Sequence, residues 1–164
     1  MEQNPYTVDA DSALRDHADM VYKIALSQTR DRNDADDVFQ EVFLRLVEHP
    51  QKITSAEHLK AWLIRVTLNC SKKHFRTWRI RSAELAEEIP YIAPEEHEVL
   101  YAVMELPHKY RTVIHLFYYE ELSIKQICEA LDAKESTVKS WLRRAREMLR
   151  ESLKGEYLNA GQYI

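Results

Sequence analysis

The sequence predicts an all-α protein: two small helical domains joined by an acidic linker, the second ending in a helix-turn-helix. Three observations predict it. Glycine is nearly absent, with two in 164 residues, Gly155 and Gly161, against an average usage of about 7%. Apolar residues recur at steps of three and four along most of the chain, the spacing of one helix face. Charge is segregated: Lys60–Arg81 holds seven basic residues and no acid, whereas Glu84–Glu98 holds six acids and no Lys or Arg, and carries Pro90 and Pro94. Proline removes an N–H donor and fixes φ, so the acidic stretch reads as a linker. The divisions that follow are a tail over 1–9, a first domain over 10–81, the linker over 82–97, a second domain over 98–155 and a tail over 156–164.

The same counts exclude whole function classes. Glycine-rich phosphate loops and dinucleotide fingerprints need several glycines between a strand and a helix. Primed hairpin turns favour Asn-Gly or Asp-Gly, and neither dipeptide occurs. No apolar run approaches the ~18 residues of a membrane span, and the acidic, polar start MEQNPYTVDADS does not read as a signal peptide. Cys70 and Cys128 are too few and too far apart for a disulfide framework or a zinc knuckle. The expectation is a soluble cytoplasmic protein with no metal and no cofactor. A net charge of −4 argues against bulk affinity for nucleic acid, although it says nothing of local patches.

Taken in order, the first helix carries Leu14, Ala18, Val21 and Ala25 on one face and ends at a polar break, TRDRND. The second runs from about Ala35 to Glu48 before Pro50, with Asp34, Asp36 and Asp37 in its first turn, where the helix dipole favours negative charge. The third opens with Thr54 and Glu57 at capping-box spacing and extends to about Arg79. In the second domain, Pro94 and Pro107 fit the first turns of two helices, which carry Val99, Val103 and Leu106, then Tyr110, Val113, Ile114 and Phe117. Ser123 and Gln126 form a second capping-box pair, opening a short helix with Ile124, Ile127, Cys128 and Leu131. After the turn Asp132-Ala133-Lys134, a last helix places Val138, Leu142, Ala145, Leu149 and Leu153 on one face.

Three constellations stand out. On the third helix, two apolar faces (Leu59, Leu63, Val66, Cys70 and Ile64, Leu68, Phe75) flank a single stripe of Arg65, Asn69, Lys72, Arg76 and Arg79. Arg and Lys on such a ridge hold phosphates, while an Asn amide offers the donors and acceptor that base reading requires. A solvated basic face is the plainer alternative; the lack of any acid over 22 residues favours a polyanion. Trp62, Phe75 and Trp78 interleave with the ridge, and Trp62 reads as core. On the second helix, Val38, Phe39, Val42, Phe43 and Leu46 make the apolar face, yet Leu44 sits among Asp37, Gln40, Glu41, Arg45 and Glu48. It is either an ordinary exposed leucine or a small protein-binding spot with a polar rim. In the helix-turn-helix, Cys128 is the small residue where the helices approach. Asp132 takes the turn position usually held by Gly, tolerating a left-handed conformation better than most residues. The basic row Lys139, Arg143, Arg146 and Arg150 faces outward. The start of such a helix enters the major groove, which puts Ser136, Thr137, Lys139, Ser140, Arg143 and Arg144 nearest the bases.

These residues resemble the sigma-seventy superfamily of bacterial initiation factors, in its small two-domain extracytoplasmic-function group. The stretches DADDVFQEVFLRL (Asp34–Leu46), LKAWLIRVTLNCSKKHFR (Leu59–Arg76) and LPHKYRTVIHLFYYEELSIKQICEALDAKESTVKSWLRRAR (Leu106–Arg146) carry the resemblance. It implies that Asp37, Gln40, Glu41, Leu44 and Arg45 grip core RNA polymerase. It further implies that Asn69 lies near a flipped base of the promoter's upstream-ten element. Lys72, Lys73 and Arg76 would hold the adjoining backbone, beside Arg65 and Arg79, which the ridge itself adds as candidate upstream-ten contacts, and the loop around Ile53–His58 would line the base pocket. Lys139, Ser140, Arg143 and Arg144 would read the upstream-thirty-five element, and an anti-sigma factor is an expected partner. The chain departs from the family pattern at three places. Lys73 stands where many members carry Asp, Trp141 replaces a usual Arg and either packs or touches a thymine methyl, and Lys134 sits where a hydroxyl often caps the recognition helix, leaving Ser136 as a substitute.

The implied activity is that of a non-enzymatic specificity factor that directs promoter recognition, local melting and transcription initiation. A stand-alone helix-turn-helix regulator, with the first domain serving dimerisation or sensing, would explain residues 123–150 but leaves the ridge and the Leu44 face unexplained. A helical enzyme finds no support in the seven histidines, none of which forms an H-E-x-x-H or other metal spacing; His115, among apolar neighbours, reads as a core histidine.

Overall fold

In the computed structural model of the chain, the described residues are 6–74 and 94–153, those of 94–97 by their backbone alone. Among them are seven α-helices and no strand. The chain divides into two compact units, Met1–Leu85 and Ala86–Ile164.

The first unit packs α1 (Ala10–Thr29), α2 (Arg32–Glu48) and α3 (Ala56–Ser71) around one core. Asp9 caps α1, its side chain accepting from the Asp11 N–H. Arg30 then turns left-handed (φ 59°), and its N–H bonds the Leu26 carbonyl. The next residue, Asp31, already caps α2 by accepting from the Asp34 N–H at 2.9 Å. The expected polar break therefore shrinks to Arg30 and Asp31, and α2 starts three residues before Ala35. Asp34 alone of the three aspartates lies in its first turn. α2 ends ahead of Pro50, as its periodicity predicts, and a 3-10 turn (Pro50–Lys52) leads to the buried Ile53.

The cap of α3 is one residue from where the sequence places it. Ser55, not Thr54, accepts from the His58 N–H at 3.0 Å, and the His58 ring Nδ1 accepts from the Thr54 N–H at 3.1 Å. α3 passes into a 3-10 turn over Lys72–His74; its expected continuation to Arg79, with Phe75, Arg76 and Trp78, lies outside the described residues. Val21, Ala25, Val38, Val42, Leu46, Leu63 and Ala35 are wholly buried, each large side chain contributing roughly 1.5–3 kcal/mol. Trp62 packs half-buried on this core as expected. Thr67 and Ser71 are buried too, their hydroxyls donating to the Leu63 and Thr67 carbonyls at 2.6 and 2.7 Å, which removes the cost of burying them unpaired. On α1 the buried face is Ala13, Val21, Ile24 and Ala25; Leu14 is 40% exposed, outside the face its spacing suggested.

The first described element of the second unit is α4 (Pro94–Glu105), so residues 94–97 of the stretch read as linker belong to a helix. Pro107 is the N-cap of α5 (His108–Ile114) rather than a residue of its first turn. α5 widens into a π-helical turn over His115–Tyr119, closed by the Glu120 N–H on the His115 carbonyl at 3.1 Å. Buried His115 has its Nε2 3.1 Å from a Glu120 carboxylate oxygen, a satisfied core histidine as expected.

The helix-turn-helix is α6 (Ile124–Leu131) and α7 (Glu135–Leu153). Its capping box is complete: Ser123 Oγ accepts from the Gln126 N–H at 3.1 Å, and Gln126 Oε1 accepts from the Ser123 N–H at 2.9 Å. Asp132 is left-handed (φ 51°, ψ 49°), the role its place in the turn predicts. Val138, Leu142, Ala145 and Leu149 are buried. The Val138 N–H bonds the Lys134 carbonyl, so Lys134 holds the cap position without a hydroxyl, and Ser136 lies inside the first turn rather than ahead of it. Arg146 does not join the outward basic row. It is half-buried, its Nε donates to the Tyr118 hydroxyl at 2.9 Å, and its guanidinium lies over the Phe117 and Tyr118 rings at 5.8 and 5.7 Å. That guanidinium clamps α7 to the π-helical turn.

Candidate docking and nucleic-acid interfaces

α2 buries Val38, Val42 and Leu46 against α1 and α3 and leaves Phe39 and Phe43 half-buried. The opposite face presents Asp37, Gln40, Leu44 and Arg45 to solvent, with Glu41 partly covered. Leu44 is 58% exposed, and Val47, three residues on, is 60% exposed. Sequence reasoning found Leu44 and missed Val47. The signal was present: once Val38, Val42 and Leu46 fill the core stripe, Val47 falls off it beside Leu44.

At the end of α3, Arg65, Asn69, Lys72 and Lys73 are exposed along the ridge; Arg76 and Arg79 lie outside the described residues. Lys73 does not simply add charge to it. Its ammonium binds the Glu41 carboxylate on α2, and the other Glu41 oxygen accepts from Arg45 at 2.8 Å. One carboxylate thus joins Arg45 on the α2 face to Lys73 on the ridge. The hydrogen bond from Lys73 holds the Glu41 carboxyl below its ordinary range, while burial pushes the neighbouring Cys70 thiol up. The Ile53–His58 loop is fixed by buried Ile53 and by the Ser55–His58 and Thr54–His58 hydrogen bonds.

On α7, Ser136, Lys139, Ser140, Arg143 and Arg144 are exposed and Thr137 is half-covered. Two of these cations hold carboxylates of their own helix: Lys139 with Glu135 at 2.6 Å and Arg144 with Glu147 at 3.2 Å. The first pair shifts both partners, Glu135 down and Lys139 up, each through its hydrogen bond to the other. Arg143 forms no ion pair with another described residue. Trp141 is half-buried, with the Lys109 ammonium 5.9 Å from its ring centre, so this residue packs. No group of His, Cys, Asp and Glu among the described residues could hold a metal ion, and none of the described helices is long and apolar enough to cross a membrane.

The chain matches the family models for sigma-70 region 2 over residues 13–80 and sigma-70 region 4 over residues 96–149. It is 34% identical to the ECF RNA polymerase sigma factor SigM of Bacillus subtilis, over 79% of this chain and 86% of that one. The chain belongs to the ECF sigma factors. It is also 33% identical to the ECF RNA polymerase sigma factor SigL of Mycobacterium tuberculosis, over 84% of this chain and 85% of the relative. Its fold is that of RpoE from Bartonella quintana, solved in complex with the anti-sigma factor NepR: TM-score 0.73 at 21% identity, covering 89% of this chain and 97% of that one. This sigma factor therefore acts in transcription initiation with RNA polymerase, and its family is one of non-enzymatic initiation factors. The region 2 match spans α1 to α3 with the ridge; the region 4 match spans the helix-turn-helix.

Proposed function

We propose that the sigma factor docks on bacterial core RNA polymerase through the exposed face of α2, with Leu44 as its apolar anchor and Asp37, Gln40, Glu41 and Arg45 around it. Arg65, Asn69, Lys72 and Lys73, with Arg76 and Arg79 beyond, engage the melted upstream-ten element. Arg and Lys hold the backbone, while Asn69 reads a base extruded toward the Ile53–His58 loop. Base capture costs a few kcal/mol of unstacking, offset by the pocket, so binding itself drives melting and this chain carries out no catalysis. Ser136, Thr137, Lys139, Ser140, Arg143 and Arg144 face the upstream-thirty-five element in the major groove. The two DNA-reading parts are the domains 10–81 and 98–155, joined by the stretch 82–97, whose last four residues already belong to α4. An anti-sigma factor, as in the RpoE–NepR complex, is a further partner, and the site of action is the cytoplasm.

The observation that supports this reading above a stand-alone regulator is the exposed Leu44–Val47 pair, on the face of α2 opposite its buried stripe. A regulator whose first domain dimerises would cover this pair but has no use for the basic ridge beside it. The test is run-off transcription over fragmented genomic templates with purified bacterial core polymerase. Specific transcripts should appear only when both proteins are present, with duplex binding weak until core is added. Tight sequence-specific binding of duplex by this chain alone, without transcripts, would favour the regulator.

A further inference from the structure

Glu41 lies on the α2 face assigned to polymerase, yet its carboxylate is already engaged within the chain. Arg45 holds one oxygen from the same helix, and Lys73 holds the other from the end of α3, 32 positions away in sequence. The Glu41 side chain is 25% exposed, and both cations are about half exposed. The triad is therefore open to exchange by a partner arriving from either side. Exposed ion pairs are worth only ~0–1 kcal/mol, little enough for a better partner to displace.

Exchange has a measurable signature. A free lysine that binds a phosphate releases a counterion from the nucleic acid. If Lys73 must first leave Glu41, the exposed carboxylate takes up a cation, and the net release nearly cancels. While Glu41 holds it, Lys73 thus adds charge to the ridge in the sequence but little to the salt dependence of binding.

We propose that Glu41 is a positioning residue that couples the two faces: in the free chain its carboxylate holds Lys73 back from nucleic acid, and a cationic or N–H donor on docked polymerase takes that carboxylate and releases Lys73 to a phosphate. The coupling is reciprocal, so nucleic acid that captures Lys73 frees Glu41 for polymerase. This rests on assigning α2 to polymerase and the α3 ridge to DNA.

The experiment titrates a short fluorescein-labelled single-stranded DNA of mixed sequence with the full chain over a salt series, with and without saturating bacterial core polymerase. In the free chain, Glu41→Gln should steepen the slope of log K against log salt by about 0.7, the value of one single-strand phosphate contact. Lys73→Met should change the free wild type little and should remove the gain when combined with Glu41→Gln. On core, Lys73→Met should flatten the slope by about 0.7, and Glu41→Gln should add nothing. Lys72→Met is the control for the ridge. If Lys72→Met flattens the slope while Glu41→Gln leaves the free chain unchanged, the coupling is refuted and the ridge assignment stands. A gain from Glu41→Gln that is equal with and without core also refutes the coupling. If Lys72→Met has no effect in either state, the ridge does not touch phosphate and the coupling falls with that assignment.

Discussion

Truncating Leu44 and Val47 to alanine should separate docking from folding. Leu44 is 58% and Val47 60% exposed in the free chain, so more than half of each side chain remains to be covered by a partner. Full burial of a Leu or Val side chain is worth roughly 1.5–3 kcal/mol; scaled by the exposed fraction, each contributes about 1 kcal/mol to docking. Together they come to about 2 kcal/mol, or roughly a 30-fold loss of affinity, somewhat altered by coupling because they are neighbours on one helix. Stability should barely move, since exposed substitutions fall within about 0.5 kcal/mol. The adjacent Leu46 supplies the contrast: it is wholly buried, and Leu46→Ala should cost about 2–5 kcal/mol of stability. The assay is competition between labelled wild-type and unlabelled variant chains for core polymerase, read by fluorescence anisotropy, with urea unfolding of each variant alongside. A double variant that competes within threefold of wild type would refute the docking face. So would a loss of affinity matched by an equal loss of stability.

Four further outcomes are expected. Asn69→Ala should reduce open-complex formation more than initial promoter binding, read as permanganate reactivity lost at the melted bases; an equal fall in both would remove its base-reading role. Arg143→Ala should flatten the salt slope of holoenzyme binding to duplex promoter by about 0.9, and Arg144→Ala by less than half as much, because Glu147 already holds Arg144. Equal slopes would show that this ion pair has no bearing on contact. Asp132→Gly should gain about 0.5 kcal/mol in chemical denaturation, since glycine has no left-handed penalty but a larger entropy loss, whereas Asp132→Val should lose at least about 1 kcal/mol. Because the Glu41 carboxyl is depressed by its Lys73 hydrogen bond, its contribution is present above the unfolded carboxyl's pKa and lost as pH falls through the lower folded value. Urea midpoints should therefore fall further for wild type than for Glu41→Gln over that acid window, and parallel curves would count against the bridge.

The helix-turn-helix was legible almost residue by residue because its information is local. The Ser123–Gln126 box and the buried Val138, Leu142, Ala145 and Leu149 follow from spacings of three or four, and the left-handed Asp132 from its place in the turn. The misplaced cap of α3 has a local cause as well. Thr54 and Ser55 are adjacent hydroxyls: Ser55 Oγ takes the His58 N–H, while the Thr54 hydroxyl and N–H both lie against the His58 ring Nδ1. What periodicity could not reveal are contacts between segments distant in sequence. Arg146 has the spacing of an outward cation, but the rings of Phe117 and Tyr118, brought up by a π-helical turn, draw it inward. Lys73 has the composition of a ridge cation, but Glu41 reaches it only because α2 and α3 pack side by side. Leu14 misled for the opposite reason: it lies in a regular stripe, yet it stays 40% exposed and outside the buried core.

The net charge of −4 now bears on the mechanism through pairing rather than through the sum. Of the described cations proposed for promoter contact, Lys73, Lys139 and Arg144 each hold a carboxylate of this chain, while Lys72 and Arg143 form no ion pair with another described residue. Each paired cation must exchange one anion for another when it meets phosphate, which leaves the direct contact possible but removes most of the counterion gain that drives non-specific binding. In the proposed complex the acids Glu41, Glu135 and Glu147 thus weaken the phosphate-driven part of affinity, which any DNA offers, and leave the base contacts of Asn69 and the start of α7 untouched. A chain with the same cations and no carboxylates beside them would bind all DNA more tightly, with a steeper salt dependence and no better ratio of specific to non-specific affinity.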